Sequence, residues 1–324
     1  QPRSRGLGDV YKRQLTPTVK SDETSANNEN EKPVIKKSFF RNADGTIKDK
    51  KLIAVELAPP FGADDKKLLE AAHMLKGLGV DVLTFPDSPS GRTRIDSVLM
   101  AQKVKNVTGF EVMPHICCRD KNAIAMRSTF LGASINGINN FLIITGDPIP
   151  VMARQVVKSV FNFDSVGLMR IADEMNSEVL KDSPLTYGGA INQSRRRIES
   201  EIKRVQKKME AGAEFFLTQP VFTAEDAERL RRIKEETGAR ILCGIMPLVS
   251  RKNALFMKNE ISGVNVTDEV IERYPENAGR EDGENVGVEL AKEMIEATRD
   301  FADGYYFSFP FNRTYLLKRI IEEL

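Results

Sequence analysis

The chain has 324 residues, and its 48 Lys and Arg against 46 Asp and Glu give a formal net charge of +2. Hydrophobic and charged shares of 41% and 29% are typical of a soluble globular protein, and the near-neutral balance gives no reason to expect nucleic acid or a membrane as a partner. No apolar run is long enough to span a bilayer, which favours a cytoplasmic location. Three Cys and two His argue against a disulfide framework and an all-protein metal site, so no metal is expected and difficult chemistry would need an organic cofactor.

The first 50 residues differ in composition from the rest. Residues 15–37 are polar and lack hydrophobic periodicity, which predicts a disordered tail or linker. Residues 1–14 fit no signal peptide because they lack an apolar core, and we interpret them as non-native sequence. The sequence does not begin with Met, which suggests a fragment of a longer protein. The predicted organisation is a tail over residues 1–50 and one folded domain over residues 51–324.

From Lys51 onward, short β-rich apolar runs alternate with helical stretches. Strands are predicted over 52–57, 80–85, 110–116, 140–146, 184–191, 213–219, 239–245 and 303–309. Helices are predicted over about 64–78, 94–106, 121–136, 164–178, 194–211, 223–237, 251–259, 267–273, 286–302 and 312–323. Strict alternation implies parallel strands, and eight repeats match the size of a closed (β/α)8 TIM barrel. An open doubly wound sheet is disfavoured because Leu57 is followed by APPFGADD, without a glycine-rich dinucleotide motif.

Polar and glycine residues recur where the predicted strands end. The carboxyl ends of barrel strands meet at one mouth, where the chemistry of such barrels takes place, so these residues form the predicted active site. In chain order they are Glu56, Thr84, Asp87, His115, Arg119, Asp120, Thr145, Gly146, Asp147, Gly188, Gly189, Asn192, Gln219, Gly244, Met246, Ser308, Asn312 and Arg313.

Glu56 gives the sharpest prediction of this set. It lies in the apolar run IAVELA, so we expect it to point into the barrel near its mouth. Loss of hydration there would raise its pKa and suit it to general acid catalysis. The alternative is a structural ion pair with a Lys or Arg, and the strand pattern does not decide between the two. His115 has a similar alternative, a hydrogen-bonded structural role.

The helix predicted over residues 194–211 is densely basic. Most of its cations are expected on a solvated outer face with i,i+4 ion pairs. Lys208 differs because it lies one turn before Ala211 and Gly212, near the start of strand 6. A cation at that point can reach a diphosphate lying across the barrel rim. The aromatic residues of 305–311 are interpreted as the core and rim of strand 8.

Six segments, taken together, resemble methylenetetrahydrofolate reductases: VELAPP at 55–60, PHICCRD at 114–120, ITGDP at 144–148, KKMEAGAEFFLTQPVF at 207–222, GIMPL at 244–248 and FPFNR at 309–313. Their order and content look most like the reductase half of bifunctional homocysteine S-methyltransferase/methylenetetrahydrofolate reductases. The resemblance implies an FAD-dependent barrel over residues 51–324. It further implies reduction of 5,10-methylenetetrahydrofolate to 5-methyltetrahydrofolate by ping-pong hydride transfer, usually with NAD(P)H as donor, in one-carbon metabolism and methionine biosynthesis.

The resemblance also implies roles for individual residues. Glu56 matches the general acid that protonates N5 of the folate, and Asp147 matches the aspartate near the flavin and the pterin. Gln219 matches the glutamine that hydrogen-bonds the pterin and the nicotinamide, and Arg313 matches the arginine at the aminobenzoyl-glutamate end of the folate. Flavin contacts are implied at Thr84, His115, Thr145, Gly146 and Lys208, the last at the diphosphate, with Arg204 and Glu201 on further cofactor-facing turns.

Two segments depart from the family pattern. After strand 5 the chain has YGGAINQSR, where many members have a Tyr-Pro-Glu-x-His stretch that contacts FAD. Arg251 stands where several members carry an aromatic residue that stacks on the substrate. These departures leave open how FAD is anchored and whether NADH, NADPH or an electron-donor protein supplies the electrons. The sequence also leaves open a fused or associated homocysteine S-methyltransferase and a homo-oligomer as partners.

Two other functions fit a barrel of this kind. One is a catalytically silent folate-binding barrel that serves as a scaffold for a homocysteine methyltransferase. The retained set Glu56, Asp147, Gln219 and Arg313 argues against it. The other is a lyase or aldolase that uses Glu56 as a base without flavin, and it is disfavoured because no inward strand lysine is suited to a Schiff base. The sequence therefore favours the flavoenzyme.

Overall fold

A computed structural model describes residues 34–261, 263–277 and 279–322, and one compact unit begins at Ile35. Eight parallel strands pair in chain order and close into a barrel through β1 and β8, which confirms the predicted (β/α)8 TIM barrel. The strands are β1 (Leu52–Glu56), β2 (Val82–Phe85), β3 (Val112–Cys117), β4 (Asn140–Ile144), β5 (Thr186–Ile191), β6 (Phe215–Pro220), β7 (Ile241–Ile245) and β8 (Gly304–Ser308).

The helices surround this barrel. They are α1 (Lys66–Met74), α2 (Ser97–Thr108), α3 (Ala123–Ile135), α4 (Ser165–Ser177), α5 (Ile198–Glu210), α6 (Ala224–Thr237), α7 (Arg251–Glu260), α8 (Asp268–Glu272), α9 (Arg280–Thr298) and α10 (Leu316–Ile321). Within the described part of the chain, no helix has both the length and the apolar character needed to cross a bilayer.

Two predicted helix boundaries near the C-terminus are wrong. Helix α9 begins well before the predicted residue 286. The glycines Gly283 and Gly287 argue against a helix on propensity alone. In the structure, a Cβ at either position would collide with backbone after β7, so glycine lets the helix pack closely there. Helix α10 is shorter than the predicted 312–323 because a 3-10 turn precedes it.

The N-terminal end of the barrel is closed by Phe39 and Phe40, which precede β1. Their exposed fractions are 1% and 0%, and both rings pack edge-on against Phe215 at the base of β6. Residues 35–50 therefore belong to the folded unit, which begins before the predicted boundary at residue 51. The remainder of the predicted tail, residues 1–33, lies outside the described residues. An aromatic pair within a polar segment carries no periodicity, so the sequence pattern did not reveal this contact.

The strand pleat determines which side chains face into the barrel. Side chains alternate along a strand, and Leu52 and Ala54 lie in the inner cluster, so Glu56 faces inward as well. The pairing of β1 with its two neighbours aligns Glu56 with Thr84 on β2 and with Ser308 on β8. The barrel thus brings polar side chains from three strands together at its carboxyl-terminal mouth.

Candidate active site

Glu56 accepts two side-chain hydrogen bonds from β8. The hydroxyl of Tyr306 donates to Oε2, and the hydroxyl of Ser308 donates to Oε1 across 3.1 Å. Burial raises the pKa of Glu56, and the two hydrogen bonds and the charge of Arg94 offset that rise only in part. The partners of Glu56 are hydroxyl groups rather than the cation of a structural ion pair. The carboxyl is held in place and biased towards its protonated form, the state that a general acid needs.

Tyr306 is a site residue that the sequence analysis assigns only to the core and rim of strand 8. Burial, reinforced by the neighbouring charge of Glu56, raises the pKa of Tyr306 well above its ordinary value, so the hydroxyl stays protonated and donates. The predicted closed barrel already contained the information needed to predict this role. Pairing of β8 with β1 puts alternate residues of GYYFS on the face that carries Glu56.

Two further inner-facing polar groups, those of Thr84 and His115, are buried near this layer. The hydroxyl of Thr84 lies close to the hydroxyl of Tyr306, but the two do not form a hydrogen bond of normal geometry. Nε2 of His115 has no hydrogen-bond partner among the described residues. Burial lowers the pKa of His115 to about 3, so its imidazole is neutral. An unsatisfied buried polar atom costs about 1–3 kcal/mol. These atoms therefore lack a partner that a polar ligand could supply.

Asp147 lies in the loop after β4, and Arg119 fixes that loop. Arg119 is buried, with 2% of its surface exposed. It donates from Nη1 to the carbonyl of Asp147 (3.1 Å) and from Nη2 to the carbonyl of Ser88 (3.2 Å), and it forms a bidentate pair with Asp120. The carboxylate of Asp147, exposed at the mouth, accepts the backbone N–H of Ser90 at 2.6 Å. One buried cation thus holds together the loops after β2, β3 and β4.

Thr145 and Gly146 shape the same β4 loop. The hydroxyl of Thr145 accepts the backbone N–H of Ser165 at 3.2 Å, which ties the end of the strand to the start of α4. Gly146 has φ +94°, and a Cβ there would lie 2.8 Å from Cβ of Cys117. Only glycine fits both the backbone conformation and the close approach. Both residues therefore set the course of the loop that carries the aspartate at 147.

Lys208 and Arg204 lie on α5 around the carboxylate of Glu201. Lys208 is 4% exposed, and its Nζ donates to the carbonyl of Ala190 at 2.5 Å. Burial lowers the pKa of Lys208 to about 8. Glu201 is 2% exposed and lies 2.8 Å from Nε of Arg195 and 3.7 Å from Nε of Arg204. Three cations, Arg195, Arg204 and Lys208, outnumber the nearby carboxylates of Glu201 and Asp164, and this excess of positive charge suits a diphosphate.

Gln219 lies near the carboxyl end of β6 and is partly buried, at a point where the register of β6 against β7 shifts between Leu217 and Pro220. Its side-chain amide makes no hydrogen bond within the described residues and so can bind a ligand. Its backbone carbonyl accepts the amide of Gln193 at 3.0 Å, and the same amide reaches the carbonyl of Pro220 at 3.1 Å. Gln193 belongs to the segment that departs from the family pattern. In this chain that segment ties the loop after β5 to the end of β6.

Arg313 and Arg251 are both engaged by the protein itself. Arg313 Nη1 lies 2.7 Å from Oε1 of Glu284, the atom that also accepts the hydroxyl of Tyr315. Arg251 donates to the carbonyl of Ile271 at 3.2 Å and so caps α8. A ligand carboxylate at Arg313 would have to compete with Glu284, and the role implied for Arg313 stays a prediction. Arg251 has a structural role that explains why an arginine is tolerated there.

One group of metal-type ligands, Asp87, Cys117 and Asp120, also lies at this mouth, with ligand atoms within 4.8 Å of one another. Burial raises the pKa of Cys117 to about 12, so its thiol stays protonated and is a poor ligand. Asp87 accepts the backbone N–H of Cys117 at 3.1 Å, and Asp120 is paired with Arg119. These internal contacts satisfy the group and give no support for a metal.

The fold and this mouth define a TIM barrel with a protonatable carboxyl and a cationic rim. The sequence model of methylenetetrahydrofolate reductase matches residues 41–324, and the chain therefore belongs to the methylenetetrahydrofolate reductase family. It is 25% identical over 206 residues to 5,10-methylenetetrahydrofolate reductase of Buchnera aphidicola, covering 62% of this chain and 67% of that protein. It is 24% identical over 208 residues to the Salmonella typhimurium protein of the same name, covering 62% and 66%. The matched region thus spans about two thirds of these relatives.

A solved structure shares the fold. It is a Clostridium thermocellum protein described as binding two copies of 5-methyl-5,6,7,8-tetrahydrofolic acid. The TM-score is 0.61 at 16% identity, and the match covers 85% of this chain and 96% of that one. At this identity the likeness supports the barrel architecture alone.

Proposed function

We propose that the protein reduces 5,10-methylenetetrahydrofolate to 5-methyltetrahydrofolate, with FAD as its cofactor and NAD(P)H or an electron-donor protein as the reductant. The observation that carries the proposal is the Glu56 carboxyl, held by Tyr306 and Ser308 at the barrel mouth with its pKa raised. Family membership supports the same substrate. A homocysteine S-methyltransferase, fused or associated, is our proposed consumer of the product.

The chain's own contribution begins with a proton. Glu56 carries this proton on a carboxyl whose pKa is raised by burial, and the carboxyl delivers the proton to N5 of the folate as the methylene bridge opens. Tyr306 and Ser308 fix the direction in which the carboxyl points. The free amide of Gln219 hydrogen-bonds the pterin, and the carboxylate of Asp147 lies at the mouth, in a loop that Arg119 holds in place.

The residues present fit a flavin. His115 offers a buried nitrogen without a protein partner, and Thr84 a buried hydroxyl without a well-formed hydrogen bond. Lys208 and Arg204 offer positive charge for a diphosphate, which the carboxylates of Glu201 and Asp164 neutralise only in part. FAD, when bound, supplies the hydride-carrying chemistry that no side chain can provide. The protein positions the reacting groups, excludes water and handles the proton.

Absorption spectroscopy tests this function. The purified protein, titrated with FAD, should take it up and show a flavin spectrum. That spectrum should bleach with NADH, NADPH or reduced ferredoxin and recover on addition of 5,10-methylenetetrahydrofolate. Whichever of the three bleaches the flavin identifies the reductant. A protein that binds folate but takes up no FAD would instead be the catalytically silent barrel, and the proposed reduction would be wrong.

Replacing Tyr306 by Phe should move the pH profile of folate reduction. The change removes the hydrogen bond to Oε2 of Glu56 and keeps the ring. A hydrogen bond to an ionised carboxylate lowers its pKa, so its loss raises the pKa of Glu56 further. The rate falls as pH rises through that pKa, because an acid must be protonated to act. We therefore expect the alkaline limb to move upward by about one pH unit in Y306F.

The pH profile of flavin reduction by the same protein is the control, because that step does not use the proton of Glu56. It should be unchanged in Y306F. If the alkaline limb of the pH profile of folate reduction is also unchanged in Y306F, Tyr306 contributes only to packing and does not affect the pKa of Glu56.

A further inference from the structure

One oxygen of Glu284 accepts hydrogen bonds from three side chains. Nη1 of Arg313 donates to Oε1 at 2.7 Å, Nε of Arg280 at 3.0 Å and the hydroxyl of Tyr315 at 2.5 Å. Burial disfavours the charged form of Glu284, but these donors lower its pKa below the ordinary value, so the carboxylate is ionised. The two cations and the hydroxyl group thus form a carboxylate-binding cluster, and a side chain of the protein itself fills it.

The carboxylate-binding cluster lies at the end of the barrel that carries Glu56. Ser308, the last residue of β8, donates to Glu56, and Arg313 follows Ser308 by only five residues. Helix α9 holds Glu284 at the same end, because a Cβ at Gly283 would collide with the backbone that follows β7. A ligand that meets Glu56 at the mouth can therefore extend over β8 towards the cluster.

An exposed aromatic ring lies beside the cluster. Phe311 has 77% of its surface exposed, and its ring centroid lies 5.5 Å from Cζ of Arg313. Phe311 and Asn312 adopt left-handed backbone conformations, with φ of +59° and +54°, which cost non-glycine residues about 1–3 kcal/mol each. Such strain is typical of ligand-binding positions. The ring and the cluster together suit a ligand in which an aromatic group is followed by a carboxylate.

We propose that Glu284 occupies the place of a substrate carboxylate and so sets the affinity of the protein for the glutamate tail of folates. The inference rests on the proposed function, since the folate in that reaction carries an aminobenzoyl group followed by glutamate. A tail carboxylate takes over the donors of the cluster, and Phe311 stacks on the aminobenzoyl ring. Each binding event breaks the internal ion pairs of Glu284, which weakens the binding of folates that carry the tail. A ligand without the glutamate leaves Glu284 in place and avoids this cost.

Calorimetric titration of the protein with 5-methyltetrahydrofolate, the product of the proposed reaction, tests the inference. Glu284→Gln should bind this ligand about tenfold more tightly than the wild type, because a neutral amide competes less well than a carboxylate for two guanidinium groups. Glu281→Gln is the matched control, since Glu281 is an exposed glutamate in the first turn of α9 and its loss changes the net charge by the same amount. Its affinity should equal that of the wild type.

A second ligand and a second variant locate the effect at the tail. 5-Methyltetrahydropteroate, which lacks the glutamate, should bind the wild type and Glu284→Gln equally well. Arg280→Gln, at an exposed position, should weaken the binding of 5-methyltetrahydrofolate by about threefold or more and leave that of the pteroate unchanged. This variant tests the proposal even if thermal melting shows that Glu284→Gln has not folded.

The proposal would be overturned if Glu284→Gln bound 5-methyltetrahydrofolate no more tightly than the wild type. It would also be overturned if Glu284→Gln bound the folate and the pteroate more tightly by the same factor, or if Arg280→Gln weakened the binding of both ligands equally. In each of these cases the folate still binds, and the proposed function stands. If the wild type and all variants bind neither ligand, the proposed function itself is wrong.

Discussion

Replacing Glu56 by Gln is expected to abolish folate reduction while leaving reduction of the flavin intact. Gln has nearly the same size and can still meet Tyr306 and Ser308, but it has no proton to give at neutral pH. Loss of a positioned general acid lowers a rate by about 10²- to 10⁴-fold. Stopped-flow absorbance, with the reductant and the folate added in separate experiments, measures the two half-reactions independently.

Glu210→Gln is the matched control, since Glu210 is an exposed glutamate at the end of α5, away from the mouth. It should leave both half-reactions unchanged. If Glu56→Gln slows both half-reactions equally, the carboxyl supports the architecture of the mouth and is not the acid of the folate step.

Replacing Lys208 by Met should weaken FAD binding by about 10- to 100-fold. A charge-assisted hydrogen bond to a diphosphate contributes about 1.5–3 kcal/mol, and Met keeps the length of the side chain without its charge. Among the described residues, the hydrogen-bond partner of the buried ammonium is the backbone carbonyl of Ala190, and burial has already lowered its pKa to about 8. The apoprotein of K208M should therefore melt at no lower temperature than the wild type, since a buried cation is costly.

The same pKa predicts how FAD affinity depends on pH. An anion binds the protonated amine, so bound FAD raises the pKa of Lys208 above its value of about 8 in the free protein. Affinity is fully present below that value and falls as pH rises beyond it. In K208M this decline should vanish. Lys207→Met, at the exposed neighbouring position, should retain both the affinity and its pH dependence. A wild-type affinity that stays constant from pH 7 to pH 10 would exclude Lys208 as the diphosphate contact.

The barrel could be predicted from the sequence because each of its strands and helices is specified by neighbouring residues. Each parallel strand is a short apolar run and each helix a longer amphipathic one, so alternation alone gives the order of the elements. Phe39 and Phe40 were missed because their burial depends on Phe215, far along the chain. Such a contact leaves no trace in a window of neighbouring residues.

The candidate active site could be predicted only in part, because some of its contacts join residues that are far apart in the chain. The position of Glu56 follows from the alternation within one strand, whereas its hydrogen bond with Tyr306 requires the closure of β1 against β8. Arg313 shows that a recognisable motif does not predict the contacts of its residues. The motif FPFNR can be identified in the sequence, but the ion pair of Arg313 with Glu284 depends on the way α9 packs beside the last strand.

The buried guanidinium of Arg119 makes three loops of the mouth thermodynamically dependent on one another. It binds the carbonyls of Ser88 and Asp147 at once, and its own carbonyl accepts the backbone N–H of Val160. A substitution in any one of these loops therefore alters the strain felt by the others, and the effects of paired substitutions will not be additive. The effect of a change in one loop therefore depends on the sequence of the other two, which restricts the paths along which the site can evolve.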